Sequence, residues 1–564
     1  MIRRPPDIQG CAVRVRGSGR CPGVELTGPS TGGTTIVDER SGWRALLSAR
    51  PACAGLAVLA LTGCAGPLVK PDAFDPAVLS ETPLPGSRLH EAPGGQEIVV
   101  EESADWMRLR PEHLTFVGYR TGEAERIYCL VLECVPEQDR LTLLPLAPEE
   151  TSLSVLASPE RRAELTLVVQ RYAADRALPE GAQPISIQLR DAIAERKLGP
   201  PIPDPKRVLA VAANYPSHLE HDLAMDPSRI EAIARTPPRL FLKHPPQLPP
   251  GRTLDAELPF HGVIGPFDSL QYSERTWIPE DEKGESHSVP SALDYEVELG
   301  AVIARTLTWD DVRDASDEEI FAAIAGYVLV SDVKVRNPQV YERALARNET
   351  PDLWAKAYMT GDASTDLILG NWTPETVAWW GYAASLGDFT AVGPYFVASG
   401  GETAMPSHSL VCARSYGGAK RAYPIPEGRE ADRFYLRQCS RATREPGARD
   451  RMLWGIPEIV RATLDPAGAL APTYDATTLQ PGDVLALGTP GGITLTVGNR
   501  GWIRFLNRVL FWWDARDWHD AFFGKDIANY LHEGDALFLW GEGLGCQRLS
   551  VKKIVWPPPA LPVP

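Results

Sequence analysis

The sequence of 564 residues predicts a mainly β protein with α/β additions, and three observations support this class. Short apolar segments with strand-like composition recur along the chain, for example at residues 127–132 and 208–213. Segments with helical spacing are few, and the clearest covers residues 158–177. The apolar fraction of 44% is typical of a globular protein with a buried core.

Composition divides the chain into four parts: a leader at 1–64, a linker at 65–95, an N-terminal accessory domain at 96–204 and a main domain at 205–558. The linker is rich in Pro, Gly and acidic residues. A proline-rich segment at 198–205 marks the boundary between the two domains.

The elements follow in order along these domains. In the accessory domain we predict strands at 97–100, 114–117 and 127–132, then the helix at 158–177, for which Ser158 is a candidate N-cap. In the main domain the predicted strands lie at 208–213, 239–244, 294–303, 326–332, 392–397 and 484–488, and residues 531–556 are again strand-rich.

Helices and connections complete the main domain. Ser316 and Glu319 form a predicted capping box at the start of a helix near 316–325, and a second helix is predicted at 338–347. Residues 251–290 are predicted to be a long connection, and residues 360–387 to be irregular.

Two strand ends carry three carboxylates. Glu296 and Glu298 are two residues apart, so they share one face of a strand, and Asp332 ends an apolar run. Oxygen ligands of this kind suit a hard divalent cation such as Mg²⁺, Mn²⁺ or Ca²⁺. The alternative is an ordinary solvated strand face.

The leader ends in Leu61-Thr62-Gly63-Cys64, which resembles a bacterial lipobox. A short apolar run precedes it and follows Arg44 and Arg50, as in a signal peptide. The resemblance implies cleavage before Cys64, lipid attachment to its thiol, and a lipid-anchored protein of the cell envelope, at the periplasmic face of the outer membrane. The alternative is a chance cysteine after an apolar run.

Charge and cysteine spacing exclude other classes. The net charge of -16 argues against nucleic acid as a partner, because phosphate binding needs a basic face. No cysteine pattern has zinc-finger spacing. Disulfides between Cys129 and Cys134, or between Cys412 and Cys439, stay open alternatives.

Several segments, in this order, resemble motifs of the fumarylacetoacetate hydrolase family: Asn-Tyr-Pro-Ser-His at 214–218, Leu-Phe-Leu-Lys at 240–243, Asp-Tyr-Glu-Val-Glu-Leu at 294–299, the run 326–336, Gly-Pro-Tyr-Phe-Val at 393–397, Pro-Gly-Asp at 481–483 with Gly-Thr-Pro-Gly-Gly at 488–492, and the closing glycine motifs at 531–535 and 541–545. Each motif alone is weak, but the ordered set is specific.

The resemblance implies a mixed β-roll fold, usually a homodimer, with one divalent ion per subunit. It implies Glu296, Glu298 and Asp332 as metal ligands. It implies His218 as general base, and Lys356, 24 residues beyond Asp332, as a cation near the substrate. Substrate-contacting positions carry over to Tyr215, Lys243, Arg336 and Thr489.

The activity that the resemblance implies is hydrolysis or lysis of a C–C bond. The substrate is a small β-dicarbonyl compound or 2-oxo acid, and a metal-stabilised enolate leaves. Two alternatives remain: a non-catalytic envelope lipoprotein that binds a metal and an oxo acid on the same fold, or a decarboxylase or isomerase.

The sequence departs from the family pattern around its histidine. His221 stands where relatives place a glutamate that orients the general base, and Glu220 and Asp222 lie beside it. We therefore expect a shifted dyad of His218 with one of these neighbours, or weaker activation of water. His221 and Glu220 are the candidate catalytic partners.

Further departures affect the metal strand and the lid. Ser331 stands where Asn is common, and Lys334 where a small hydroxyl is common. Lys334 either brings a positive charge toward the metal or points to solvent. Insertions near 360–387 and 495–528 are expected to reshape the substrate pocket. Within 501–530 aromatic residues recur at helical spacing. This stripe belongs either to the core or a dimer interface, or to a helix that lies on a bilayer surface.

The basic residues before the apolar run lie far from Met1, and one explanation is that translation starts downstream, so that residues 1 to about 40 are absent from the native protein. Mass spectrometry of tryptic digests of the native protein tests this. Peptides from residues 1–40 would contradict it.

Overall fold

A computed structural model of the chain is mainly β-sheet, which confirms the predicted fold class. It describes residues 87–92, 95–101, 104–110, 113–122, 125–222, 225–245, 262–278, 287–336, 372, 374–400, 408–415, 433–444, 450–471, 477–493 and 530–554. These residues all belong to one compact unit within Pro67–Pro564. No described helix is long and apolar enough to cross a membrane.

The strands of the described residues are β1 (Ser87–Ala92), β2 (Gly95–Glu101), β3 (Thr115–Arg120), β4 (Arg126–Val135), β5 (Arg140–Pro145), β6 (Ile185–Gln188), β7 (Leu198–Gly199), β8 (Val208–Ala212), β9 (Arg239–His244), β10 (Val263–Ile264), β11 (Ser269–Ser273), β12 (Arg275–Ile278), β13 (His287–Pro290), β14 (Leu293–Asp294), β15 (Val297–Ile303), β16 (Leu307–Thr308), β17 (Ile324–Ser331), β18 (Lys334–Val335), β19 (Thr390–Ala398), β20 (His408–Ser415), β21 (Arg433–Ala442), β22 (Thr478–Leu479), β23 (Val484–Ala486), β24 (Ala536–Gly541) and β25 (Gly545–Ile554).

The helices of the same residues are α1 (Ser152–Ala157), α2 (Pro159–Asp175), α3 (Leu189–Ala194), α4 (Pro227–Ala234), α5 (Trp309–Val312), α6 (Asp317–Phe321), α7 (Pro374–Ala383) and α8 (Ile456–Leu464). Ser158 caps α2 by accepting from the Arg161 amide, as predicted. The predicted capping box of Ser316 and Glu319 opens α6. This helix is shorter than predicted, because the chain turns into β17 at Ile324.

Two large sheets hold most of the strands. The 12-stranded sheet has the order β6-β5-β4-β3-β19-β17-β15-β23-β8-β9, with β10 added to β19 and β7 added to β3. The 7-stranded sheet has the order β1-β2-β21-β20-β24-β25-β11. The strands at 115–199 therefore extend the same sheet as the strands after residue 205.

Strand β15, which carries the predicted metal ligand Glu298 and directly follows Glu296, lies inside the 12-stranded sheet. It pairs antiparallel with β17, where Glu298 is opposite Val330, and antiparallel with β23 on its other side. All seven of its residues are buried. Apolar side chains pack on both faces, so the strand is a core element and not a solvated edge.

Two segments differ from the prediction. The supposed connection at 251–290 contains β10 to β13, of which β11 pairs with β25 and β12 pairs with β13. Strand β11 does alternate, with Leu270 and Tyr272 between polar residues, so its signal was present in the sequence. The other three strands have only two to four residues, too few to show an alternation. The region 360–387 contains α7, whose residues from Val377 to Tyr382 are mostly buried. A helix that is apolar on all sides has no amphipathic period.

The cysteines do not form the pairs that were left open. Cys129 and Cys134 are both free. They lie five residues apart on the extended strand β4, which separates them by about 16 Å, too far for a disulfide. Cys439 is also free, which rules out its disulfide with Cys412.

The side chain of Gln547, on β25, joins the two large sheets. Its Nε2 atom lies 2.9 Å from Leu329 O, 3.2 Å from Ala391 O and 2.9 Å from Gly393 O, on β17 and β19. Gln547 is fully buried. A polar link of this kind fixes the two sheets in one arrangement.

We predict that Gln547→Leu lowers the free energy of unfolding by about 1–3 kcal/mol, because three buried carbonyl oxygens lose a shared donor. Urea unfolding followed by circular dichroism measures it. Lys552→Gln, at an exposed position of the same strand, is the control and should change stability by less than about 0.5 kcal/mol. Equal stability of the two variants would refute the role of Gln547.

Candidate metal centre and the histidine turn beside it

Backbone pairing brings the predicted acidic ligands together. Asp332 directly follows β17, and Glu296 directly precedes β15. The Asp332 amide donates to Glu296 O over 2.9 Å. Next to this contact β14 pairs with β18, which places Asp294 opposite Lys334. The register of four short segments therefore positions four charged side chains at one place.

The three predicted ligands converge. One carboxylate oxygen from each of Glu296, Glu298 and Asp332 lies within 4.8 Å of the others. Glu296 is 5% exposed, and Glu298 and Asp332 are fully buried. The alternative of a solvated strand face is therefore wrong.

Three buried cations accompany the carboxylates. Lys334 Nζ lies 3.0 Å from Glu296 Oε2 and 2.6 Å from Asp332 Oδ2. Lys243 also donates to Asp332. Arg336 donates from Nε to Asp294 Oδ2 over 2.8 Å and from a terminal nitrogen to Glu296. Lys334 is 2% exposed, so it points into the acidic cluster and not to solvent.

Glu298 has the least compensated carboxylate of the three. Its Oε2 accepts from the Gly488 amide over 2.6 Å, and its buried Oε1 has no hydrogen-bond partner within the described part of the chain. Burial, together with the negative charges of Asp332 and Glu296, raises the pKa of Glu298 well above its ordinary value.

The pKa values of Asp332 and Lys334 shift in the directions expected for an ion pair. Burial disfavours the Asp332 carboxylate, but the charges of Lys243 and Lys334 outweigh burial and hold its pKa well below the ordinary value. Burial also disfavours the Lys334 ammonium, but Asp332 and Glu296 raise its pKa. Both groups are therefore charged at neutral pH.

The donor set fits a hard divalent cation. It offers carboxylate oxygens only, which are the ligands that Mg²⁺, Mn²⁺ and Ca²⁺ prefer. The buried Oε1 atom of Glu298 has no other partner, so an ion would satisfy it. Lys334 contacts the other two carboxylates, and an ion would have to share them with its ammonium.

The histidine turn begins at the end of β8. Ala213 has a positive φ of 61°, which turns the chain sharply into Asn214. The Asn214 side chain donates to Leu487 O over 2.7 Å and to Trp454 O over 3.1 Å, and it accepts from the Trp454 amide over 2.8 Å. This residue therefore ties β8 to the chain that follows β23.

His218 has an aspartate as its partner. Its Nδ1 atom lies 2.7 Å from Asp222 Oδ2, across one turn of the π-helix His218–Asp222. Asp222 is fully buried, and its carboxylate accepts from the Gly492 amide over 3.0 Å. A carboxylate on Nδ1 fixes the tautomer and leaves Nε2 as the basic nitrogen.

One glycine-rich turn joins the acidic cluster to the histidine. Its first glycine, Gly488, donates to Glu298, and its last, Gly492, donates to Asp222. A Cβ atom at Gly491 would lie 2.7 Å from Ser217 O, so only glycine allows this close approach. The backbone of residues 488–492 therefore sets how the two groups lie relative to each other.

The turn also carries polar groups that contact the site. Thr489 is 3% exposed, and its hydroxyl lies 3.4 Å from Gln438 Oε1. Gln438 in turn accepts from the Val297 amide over 3.1 Å, which joins β21 to the acidic strand. The Tyr215 hydroxyl is buried and has no hydrogen-bond partner among the described residues. Burial raises its pKa well above the ordinary value, and the charges of Asp450 and Glu298 add to this shift.

The structure thus brings together most of the predicted site residues: Tyr215, His218, Lys243, Glu296, Glu298, Asp332, Arg336 and Thr489. Glu220 lies in the same turn as His218 but is exposed. His221 lies there too, and its side chain is outside the described part. Lys356, Cys64, the predicted helix at 338–347 and residues 501–529 of the aromatic segment also fall outside the described residues.

Three residues with a role in this arrangement were missed as candidates. Asp222 was offered as one possible partner of the shifted dyad but was not among the candidate site residues, although its spacing of four residues from His218 is that of one helical turn. Asp450 accepts from the Ser217 hydroxyl over 2.6 Å, and Gln438 contacts Thr489. No local pattern marks either of them, because their partners lie far away in sequence.

The comparisons with known proteins agree with this geometry. A family model described as fumarylacetoacetate (FAA) hydrolase C-terminal matches residues 207–552, more than half of the chain. No curated protein sequence matches the chain.

Solved structures of low identity are also similar. A probable 2-hydroxyhepta-2,4-diene-1,7-dioate isomerase from Mycobacterium abscessus is 18% identical, with a TM-score of 0.38 and coverage of 78% of this chain and 99% of that chain. A fumarylacetoacetate hydrolase from Exiguobacterium antarcticum is 17% identical, with a TM-score of 0.38 and coverage of 78% and 100%. Because these scores are low, the family assignment depends on the family model.

The raised pKa of Glu298 predicts how the metal-free protein responds to pH. When the pKa of a carboxyl group is higher in the folded than in the unfolded protein, the group stabilises the fold at pH values below the unfolded-state pKa. This stabilisation is lost as pH rises toward the folded-state pKa. Glu298→Gln cannot lose a proton, so in EDTA we expect it to gain stability over the wild type at pH 8 and to gain less at pH 5. Urea midpoints at the two pH values measure this.

Glu180→Gln is the matched control, because Glu180 is exposed in a loop. It should show no difference from the wild type at either pH. A Glu298→Gln variant that is less stable than the wild type at pH 8 would show that the carboxylate is charged and compensated in the folded protein.

Proposed function

The chain belongs to the fumarylacetoacetate hydrolase family, and from this premise we propose that it is a divalent-metal-dependent hydrolase or lyase. Its reaction would cleave a C–C bond in a small β-dicarbonyl compound or 2-oxo acid. The observation that carries the proposal is the glycine-rich turn, which donates to Glu298 at one end and to Asp222 at the other. A hard-cation site and a histidine base are thereby attached to one short segment.

Glu296, Glu298 and Asp332 would hold the ion, as Mg²⁺ or as Mn²⁺ or Ca²⁺. When bound, the ion supplies Lewis-acid polarisation of a substrate carbonyl and stabilises negative charge on oxygen. Lys243 and Arg336 are held against these carboxylates by ion pairs. They keep the acidic groups oriented and make the site less repulsive to an anionic substrate.

His218 supplies the proton transfer. With Nδ1 held by Asp222, Nε2 can take a proton from water while the water oxygen bonds to the substrate carbonyl carbon. The C–C bond then breaks, and its electron pair leaves with the enolate fragment. Proton return from Nε2 to that fragment yields two products and restores the neutral histidine.

Tyr215 and Thr489 are the groups that can position the substrate. The Tyr215 hydroxyl is a buried donor with no partner, so a substrate oxygen would satisfy it. The Thr489 hydroxyl has only long contacts of 3.4 Å, to Gln438 and to Pro490 O. Both lie on segments that contact Glu298 or its turn.

A second candidate function is binding of an oxo acid without turnover. It is favoured by Lys334, which already occupies two of the three carboxylates. We also propose the lipid anchor at Cys64, the envelope location and the homodimer. The sequence motif supports the anchor, and the family resemblance supports the dimer.

The experiment that tests the proposed function uses purified protein with Mg²⁺ or Mn²⁺ and a panel of acylpyruvates, oxaloacetate and β-diketones. We expect turnover of at least one compound, and its loss in Glu298→Ala, because the least compensated ligand is removed. Binding of the ion without turnover of any compound would favour the second candidate.

The histidine assignment gives a further prediction. Asp222→Asn should lower kcat by about 10²- to 10⁴-fold, because an amide does not hold the His218 ring in the basic tautomer. Mn²⁺ affinity, measured by electron paramagnetic resonance, should stay unchanged. Glu231→Gln, exposed on α4, is the control. An Asp222→Asn enzyme with wild-type kcat would exclude the dyad.

A further inference from the structure

Lys334 lies where two of the metal ligands would meet an ion. Its ammonium is 3.0 Å from a Glu296 oxygen and 2.6 Å from an Asp332 oxygen. Glu296 and Asp332 are two of the three carboxylates whose oxygens lie within 4.8 Å of one another. The ammonium therefore uses the same acceptors that a divalent cation would use.

The surroundings hold this ammonium in place. Lys334 is 2% exposed, and its Nζ atom lies 5.0 Å from the centroid of the Phe241 ring, in a cation–π contact. Its backbone belongs to β18, which pairs with β14. A buried lysine with both its backbone and its ammonium engaged cannot leave the carboxylates by a simple turn toward solvent.

The charge of the cluster points the same way. Four buried carboxylates face three buried cations, so these seven groups carry one formal negative charge: Asp294, Glu296, Glu298 and Asp332 with Lys243, Lys334 and Arg336. Without the Lys334 charge the cluster would carry two negative charges, which a divalent ion balances. With the Lys334 charge present, an ion of charge +2 would leave the cluster with a net positive charge.

We propose that the Lys334 ammonium is a built-in cation that competes with the divalent ion for Glu296 and Asp332, so that the wild-type site binds divalent ions weakly. The competition is both steric and electrostatic, because like charges at such distances repel strongly inside a protein. The proposal shares with the proposed function the assignment of Glu296, Glu298 and Asp332 as ligands, and it needs no turnover.

The test is an Mn²⁺ titration of the chelator-treated full-length protein at one pH, followed by electron paramagnetic resonance. Lys334→Gln and Lys334→Met both remove the charge, and Gln keeps a polar end. We expect either variant to bind Mn²⁺ at least about tenfold more tightly than the wild type. Lys552→Gln, which removes an exposed ammonium, should leave the Kd unchanged.

Two further measurements make the result specific. The double variant Lys334→Gln with Glu298→Gln should lose the gained affinity, which locates the ion at these carboxylates. Thermal unfolding should show a larger rise of Tm with Mn²⁺ for Lys334→Gln than for the wild type, because only the variant depends on an external cation. This readout also reports a variant that folds only when Mn²⁺ is present.

Unchanged or weaker Mn²⁺ binding by the folded variants would overturn the proposal, as would neutral variants that stay unfolded with and without Mn²⁺. The outcomes that refute the proposed function differ from those that refute the competing ammonium. Tighter Mn²⁺ binding by Lys334→Gln, with no turnover of the substrate panel by the wild type, would support the competing ammonium and reject the hydrolase. Turnover with Mn²⁺ and no gain in affinity would do the reverse.

Discussion

The site depends on one constraint: carboxylates buried inside a sheet must be compensated by groups that the same fold supplies. Lys243 and Lys334 compensate Asp332, Arg336 compensates Glu296, and Glu298 receives a backbone amide. These partners come from β9, β18 and the chain beside them, so the electrostatics require correct pairing of several strands. Changing one charge leaves the others unbalanced, and the effect of a substitution at one group depends on its neighbours.

The second level of organisation is backbone geometry. The turn at 488–492 donates backbone amides to two different functional groups, Glu298 and Asp222, and a third amide donates to the Ser217 hydroxyl. Rigid amide donors need no rearrangement when charge develops nearby, which is a property of efficient active sites. Because Asn214 joins this turn to β8, the histidine turn and the metal strand share one support.

Much of the fold and site could be predicted from local patterns. The apolar run of β8, the capping box of α6 and the alternation in β15 are local signals, and the structure contains each of these elements. Strand β11 carried a local signal in its alternation of Leu270 and Tyr272 with polar residues. Strands β10, β12 and β13 are too short to show a period, and helix α7 is apolar on most of its sides. The sequence offered Asp222 as one possible partner of His218 without singling it out, because a family pattern drew attention to position 221 and away from the helical spacing of Asp222.

The cations that pair with the predicted metal ligands were the hardest part of the site to predict from the sequence. Lys334 was visible as a departure in a motif, but the direction of its side chain depends on how β18 pairs with β14, which the sequence does not show.

The Gln547 side chain has a consequence beyond its own contacts. It connects β25 of one sheet to β17 and β19 of the other, and β17 leads directly to Asp332. Local opening of the 7-stranded sheet should therefore loosen the ligand strand, so the two sheets exchange their amide protons as a single cooperative unit.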